Sequence, residues 1–473
     1  MSGNRFLPAC AALLLSACVG PNFHRPPPPD VHSYTADAAL EAQKFRPQAE
    51  VPRNWWLLLG SGQIDALVGE ALRANPDVAS AQAALRQALE NTAAQRGSYA
   101  PIVQGSFDAS RNRDAVGVLA PNLSSGTPVY SLFTPQVSVS YVADVFGANR
   151  RRVESLAAQA ESARFQLDAT YLTLTANVVT AAIQEAGLRG QIDATVRVIG
   201  LERESLEVLK RELQLGAIAE ADVYAQEAAL AQLETTLPPL HKQLEQTHDQ
   251  LAVLTGHFPS EFKPLDLRLE QLQLPADLPI GVPSQLVERR PDVRAAEAQL
   301  HAATAQVGVA ITDMLPQFTI TGDAGSTATA LGNLFQAGTG FWSLGANASQ
   351  TLFAGGSLLH RKRAADAALD QAAAAYRSSV LTAFQNVADA LHALNNDADA
   401  VSAAMRAENA AERSLGVARH QLELGSVSYL ALLNAEQVYQ LALIGVVQAR
   451  SSRLADTAAL FQALGGSVTP DPH

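Results

Sequence analysis

The sequence predicts a mainly α-helical chain that also carries part of a transmembrane β-barrel. Three observations predict it. The chain is written twice; each copy holds a pair of strands alternating apolar with hydroxyl-bearing residues; and each copy holds a helical stretch of about 70 residues with apolar positions at seven-residue steps. Composition agrees: 48% of the 473 residues are hydrophobic and only 17% are charged, which excludes disorder. With 34 Lys+Arg against 46 Asp+Glu the formal charge is -12, which argues against nucleic acid as a partner, because phosphate binding needs a basic face. Cys10 and Cys18 are the only cysteines, so the rest of the chain can form neither a disulfide nor a thiolate metal site.

The first element is a leader. Residues 1–17 carry Arg5, an apolar run from Ala9 to Leu15 and the small residues Ser16 and Ala17, a secretory signal whose core is too short to span a bilayer. Leu15-Ser16-Ala17-Cys18 behind it resembles a bacterial lipobox, which implies that Cys18 becomes the acylated mature N-terminus. Val19 rather than Asp follows the cysteine, which in lipoproteins implies release to the outer membrane.

The duplication comes next. Asn75-Pro76-Asp77-Val78 recurs as Arg290-Pro291-Asp292-Val293, and Pro101 as Pro316, both at a spacing of 215 residues; Leu213-Gln214-Leu215-Gly216 recurs as Leu422-Glu423-Leu424-Gly425 at 209. This divides the chain into a signal peptide (1–17), a lipidated extended segment (18–60), a first repeat (61–258), a Pro-rich linker (259–284), a second repeat (285–467) and a C-terminal tail (468–473). Each repeat opens with a helix at Pro76 or Pro291, and the second proline ends that helix. The period then switches to two. Val103, Gly105 and Phe107 alternate with Gln104, Ser106 and Asp108; Val137, Val139, Tyr141, Ala143 and Val145 face away from Ser138, Ser140 and Asp144. Phe318, Ile320 and Gly322 alternate with Thr319, Thr321 and Asp323, and Trp342, Leu344 and Ala346 with Ser343, Gly345 and Asn347. Four strands of roughly nine to eleven residues result, with Trp342 and Leu344 expected to face lipid while Ser343 and Asn347 face a water-filled lumen.

After each strand pair the helical stretches, 149–215 and 357–424, would each be about 100 Å long if continuous. Val153, Ala160, Leu167, Leu174, Ala181 and Leu188 make one coiled-coil seam; Ala373, Val380, Val387, Leu394 and Val401 make the other. Gly216 and Gly425 then cap helical hairpins, and the chain returns through Leu230, Leu237, Leu244 and Leu251, with Pro238 and Pro239 expected to kink or break the first returning helix. Motifs for chemistry are lacking. His241 and His248 sit seven residues apart with no third ligand, and no phosphate loop, HExxH or GxSxG occurs, so neither metal, cofactor nor catalysis is expected. The arginines at 150–152, 361 and 363 read as markers of the boundary between barrel and water.

Cys18-Val19-Gly20-Pro21-Asn22-Phe23, the Trp55-Trp56 pair, and above all LPADLPIGVPSQLVERRPDVRAAEAQL at 274–300 closely resemble the NodT-type, TolC-like outer-membrane factors of tripartite efflux pumps, over essentially the whole mature chain. The resemblance implies a homotrimer with a 12-strand barrel in the outer membrane and a helical tunnel through the periplasm. It also implies docking to a periplasmic adaptor and an inner-membrane RND-type transporter, in a role tied to antibiotic resistance. The residues support it independently, since four strands cannot enclose a water-filled pore and subunits must pool them. The function expected is a passive exit duct; the alternative from the residues is a periplasmic coiled-coil scaffold with soluble strand pairs. At the hairpin tips, where the family closes its periplasmic entrance and meets the adaptor, the gate or contact candidates are Glu220, Asp222 and Tyr224 in the first copy and Ser428, Tyr429 and Asn434 in the second. Asp222 has the rival reading of a helix cap.

Overall fold

The change of period at Pro101 and Pro316 marks where helix gives way to sheet. In the computed structural model the described residues are 19–31, 33–35, 45–47, 51–113, 129–275, 277–280 and 283–466, so the signal peptide, Cys18 and the tail at 468–473 lie outside the description. The chain divides into two units: Met1–Arg25 with Leu85–Ser162 and Ala296–Ala375, and Pro26–Ala84 with Ala163–Ala295 and Tyr376–His473.

The first unit holds β2 (Ile102–Arg113), β3 (Val129–Ala143), β5 (Gln317–Ser326) and β6 (Gly340–Ser349), all antiparallel in the order β2-β3-β5-β6. At 12 and 15 residues, β2 and β3 exceed the expected length. The reason is that β3 serves two partners, pairing with β2 along 129–140 and with β5 along 136–143. Register sorts the side chains. Gly105, Val137, Ala324 and Trp342 form one cross-strand row, and Val103, Val139, Gly322 and Leu344 the next; Gln104, Ser138, Asp323 and Ser343 lie on the opposite face, where Ser343 Oγ donates to Asp323 Oδ2 at 3.1 Å. One face is thus apolar and the other polar, as period-two alternation requires. β3 stops at Ala143, short of Val145, because Asp144 turns to other work: its carboxylate accepts the N–H groups of Asn149 and Arg150, each at 3.0 Å, and caps α3 (Ala148–Gln214).

The second unit is built on helices. α1 (Gly62–Ala74) and α2 (Pro76–Arg96) meet at Asn75, whose Oδ1 accepts from Asp77 N and Val78 N while its Nδ2 donates to Leu254 O at 3.0 Å. The second copy repeats the joint with different chemistry between α6 (Pro283–Arg289) and α7 (Pro291–Thr312). There Arg290 donates to Ala463 O at 2.9 Å and forks onto both oxygens of Asp292. Each repeat therefore ties its opening residue to the end of its own returning helix, and the two joints stand at the duplication spacing. α3 and α8 (Ser357–Glu423) are continuous over 67 residues. The first return is split into α4 (Glu220–Glu234) and α5 (Leu237–Leu254), with the prolines in the opening turn of α5 where missing N–H groups cost nothing; the second, α9 (Tyr429–Ala463), is unbroken. One stretch of α9 is apolar and long enough to cross a membrane by composition, with mean hydropathy 1.4, yet it is the return arm of a helical hairpin and carries the buried Glu436.

The linker is not a free tether. Leu267, Leu269, Leu272 and Leu278 enter the main apolar core with Leu59, Ile64, Ile183, Leu251, Leu394 and Leu460, and β4 (Leu278–Ile280) pairs in parallel with β1 (Phe45–Pro47). Trp55 and Phe461 stack at 5.2 Å between ring centroids at the centre, both fully buried. Phe461→Ala should cost about 3–5 kcal/mol, read as a shift of the denaturant midpoint at unchanged slope.

Candidate functional site at the helical hairpin tips

Both long helices end in the same way. Gly216 and Gly425 adopt φ +73° and +68°, a region that disfavours side chains. Ala217 N and Ser426 N reach back to Glu212 O and Gln421 O at 2.9 Å each, while the glycine N–H groups bond Leu213 O and Leu422 O. This is the double C-terminal bond pattern that satisfies orphan carbonyls and reverses the chain.

The residues singled out at the tips separate by environment. Glu220, Tyr224, Ser428 and Asn434 are exposed, Tyr224 by 63%. Asp222 accepts the Ala219 N–H at 3.3 Å, closing the first turn of α4; Ala219 has no side-chain acceptor, so only this half of a capping box is made. Tyr429 does not belong to the exposed set. It is 8% exposed within the cluster of Val198, Ile199, Leu206, Leu415 and Leu432, and its hydroxyl meets Ser205 Oγ at 2.7 Å. Burial pushes that phenol up to about 12.

Beside Tyr429 lies a polar network the sequence reading did not single out. Glu202 on α3, Gln226 on α4 and Glu436 on α9 are buried beside the apolar cluster, and Arg419 on α8, with 43% of its side chain exposed, reaches Glu436 from the rim. Gln226 Nε2 donates to Glu202 O at 3.0 Å and to Glu202 Oε2 at 2.6 Å; Arg419 Nη2 donates to Glu436 Oε1 at 3.4 Å. Loss of hydration on burial, then repulsion from Glu202, pushes the Glu436 carboxyl up to about 7, with Arg419 opposing. Protonated, Glu436 can donate to Glu202; ionised, two carboxylates face each other in a poorly hydrated site. The signal was present: Glu202 stands seven residues from Leu209, and Glu436 seven from Tyr429, so both are carboxyls at seam positions. A second carboxyl contact, Asp397 with Asp456, links α8 to α9, where burial and Asp456 push Asp397 up to about 7.

The sign follows from linkage. A carboxyl whose folded value is raised holds its proton in the packed state, so this contribution to packing of the two hairpins is complete below about 4.5, the ordinary glutamate value, and is lost as pH rises to about 7. Thermal stability of the detergent-solubilised protein should therefore fall across that window; Glu436→Gln should flatten part of the fall, leaving the share due to Asp397.

Comparison with known proteins fits this architecture. The family model described as outer membrane efflux protein matches residues 67–257 and 282–466, one segment per repeat. The pyoverdine export outer membrane protein OpmQ of Pseudomonas putida is 28% identical over 465 residues, covering 97% of each chain. The cation efflux system protein CusC of Escherichia coli is 25% identical over 472 residues, covering 98% of this chain and 99% of its own. The solved outer-membrane channel OprN superposes with TM-score 0.88 at 28% identity, covering 96% of this chain and all of that one. With both repeats matched and the whole length shared, the chain belongs to the outer membrane efflux protein family, the TolC-like factors of tripartite efflux systems that serve in the outer membrane as channels and not as enzymes.

Proposed function

We propose that three copies of this chain pool their sheets into a 12-strand barrel and act as a passive exit duct, receiving small molecules from an inner-membrane RND-type transporter through a periplasmic adaptor. The observation that carries the reading is the four-stranded sheet with one apolar face, one polar face and two edges, β2 and β6, that pair with no further strand among the described residues. An edge in hydrocarbon leaves N–H and C=O groups without partners at several kcal/mol each, so the sheet needs copies of itself on both sides. A further support is α9, whose Leu430, Val438 and Leu441 are exposed in the single chain and would be covered by a neighbouring subunit. The relatives named above are pyoverdine and cation exporters, unlike cargoes that fit a duct without a selective pocket. The test is reconstitution: purified protein should run as a trimer and conduct ions in planar bilayers, whereas a non-conducting monomer would sink the reading.

In this reading Trp342 and Leu344, exposed by 79% and 76%, meet lipid and Asn347 meets the lumen. A cysteine placed at position 347 should react with a water-soluble reagent added to the pore and one at 344 should not; the reverse result reverses the register. Cys18 carries the lipid anchor, and the mass of the N-terminal peptide should show a cleaved, acylated cysteine. Without residues 1–17 the formal charge is -13 per chain, so the open duct should prefer cations. At the entrance Glu220, Tyr224, Ser428 and Asn434 are the exposed candidates for adaptor contact. For Asp222 the capping geometry favours a role in the helix start: Asp222→Ala should lower stability by about 0.5–2 kcal/mol while leaving resting conductance and block by a multivalent cation unchanged.

A further inference from the structure

The arginine run after β3 is not explained by a duct. Arg150 pairs with Asp144 at 3.4 Å and Arg152 with Asp313 at 3.1 Å, both partly in solvent. Arg151 between them is buried, with 4% of its side chain exposed. A guanidinium out of water needs most of its donors satisfied, and here three of the four bonds go to the N-terminal segment. Nε donates to Val19 O at 3.3 Å, and Nη2 to Gly20 O at 3.3 Å and to Asn22 Oδ1 at 2.7 Å, while Nη1 holds Glu154 at 2.8 Å.

Other residues of the same segment add contacts that do not use the guanidinium directly. Val19 N donates to Phe146 O, at the turn that ends β3, at 3.3 Å. Gly20 has φ +102° and lies so near Gly308 of α7 that a Cβ would stand 2.5 Å from its Cα, so two glycines let the backbones touch. Phe23 stacks on His301 at 4.4 Å and 15°, and His301 in turn meets Glu154 at 3.0 Å. Arg25 closes the series on Glu297 at 3.0 Å.

We propose that residues 19–25 are a docking strap, with Arg151 as its positioning residue, which holds the lipidated N-terminus at the strand-to-helix junction. The proposal rests on the reading of Cys18 as the acylated residue. Cys18 is one Cα step of about 3.8 Å from Val19, so its acyl chains leave the protein where β3 gives way to α3 and enter the membrane at the base of the barrel.

Chymotrypsin tests this on the full-length, membrane-extracted protein in phospholipid nanodiscs, because cleavage after Phe23 frees the peptide 18–23 for mass analysis. The wild type should release it slowly. Arg151→Gln should release it at least tenfold faster, the factor that loss of even one of its three bonds to the segment would supply. Gly20→Val, which leaves the Arg151–Glu154 pair in place, should do the same, so a folding defect peculiar to one variant cannot imitate the result. Spin labels on His24→Cys and Arg361→Cys, in protein whose Cys18 thiol is shown by mass to be blocked and in trimers diluted with unlabelled chains, should give a narrow distance distribution that broadens in both variants while thermal unfolding of the sheet unit stays within a few degrees. Equal release and equally broad distances in wild type and variants overturn the strap. The mass of the freed peptide reports separately on the lipid: a protected but unmodified Cys18 would reject acylation and leave docking intact.

Discussion

Backbone hydrogen bonding in a medium without water is the constraint on which the rest of this structure depends. A sheet of four strands satisfies its interior N–H and C=O groups and, among the described residues, leaves the outer sides of β2 and β6 without a partner strand. Every larger feature answers that deficit. Duplication supplies two strand pairs from one design, the antiparallel order places the first pair beside the second, and the proposed pooling of three chains removes the edges altogether. The side chains follow the backbone: a single register puts Val103, Val137, Ala324 and Trp342 on one face and Gln104, Ser138, Asp323 and Ser343 on the other.

The helices solve a different problem, since their backbone is already satisfied and the cost falls on side chains. Seam positions filled by leucine, valine and alanine bury the contact between hairpin arms, and small side chains let the helices approach closely. Near the tips that rule is broken by Glu202, Glu436, Gln226 and the Tyr429–Ser205 contact, a polar cluster inside an apolar one. Buried polar groups of this kind add little net stability, but they penalise alternative registers, because a one-turn slip leaves carboxyls and an amide without partners. The cluster draws on arms of both hairpins, Glu202 and Gln226 from the first and Arg419 and Glu436 from the second. Among the described residues, Glu436 and Asp397 are carboxyls that burial and a neighbouring carboxylate push up to about 7, and both bear on α9.

Duplication has also been loosened where the two copies do different work. Asn75 and Arg290 hold equivalent joints, one through an amide capping α2 and the other through a guanidinium that reaches a carbonyl and pairs with Asp292. The first return helix is broken ahead of Pro238 and Pro239, whereas α9 runs unbroken.

Much of the architecture was legible in the sequence because it rests on local periods. Alternation of two gave the strands and their faces, the seven-residue step gave the long helices, and Gly216 and Gly425 marked the reversals, since only a left-handed turn without a side chain closes those ends cheaply. Internal repetition set the order of elements without any knowledge of contacts. The site was legible only in part. Position after the turn does not separate exposed residues such as Tyr224 and Asn434 from the buried Tyr429, and it does not reach Glu202, Arg419 and Glu436. Their partners lie on other helices, and a period along one helix says which face is apolar without saying which residue of another helix meets it. Arg151 gives the same lesson: the sequence marked three adjacent arginines as equivalent, and the tertiary structure separated them, because burial and the carbonyls of Val19 and Gly20 are brought to one of them by chain folding over more than a hundred residues.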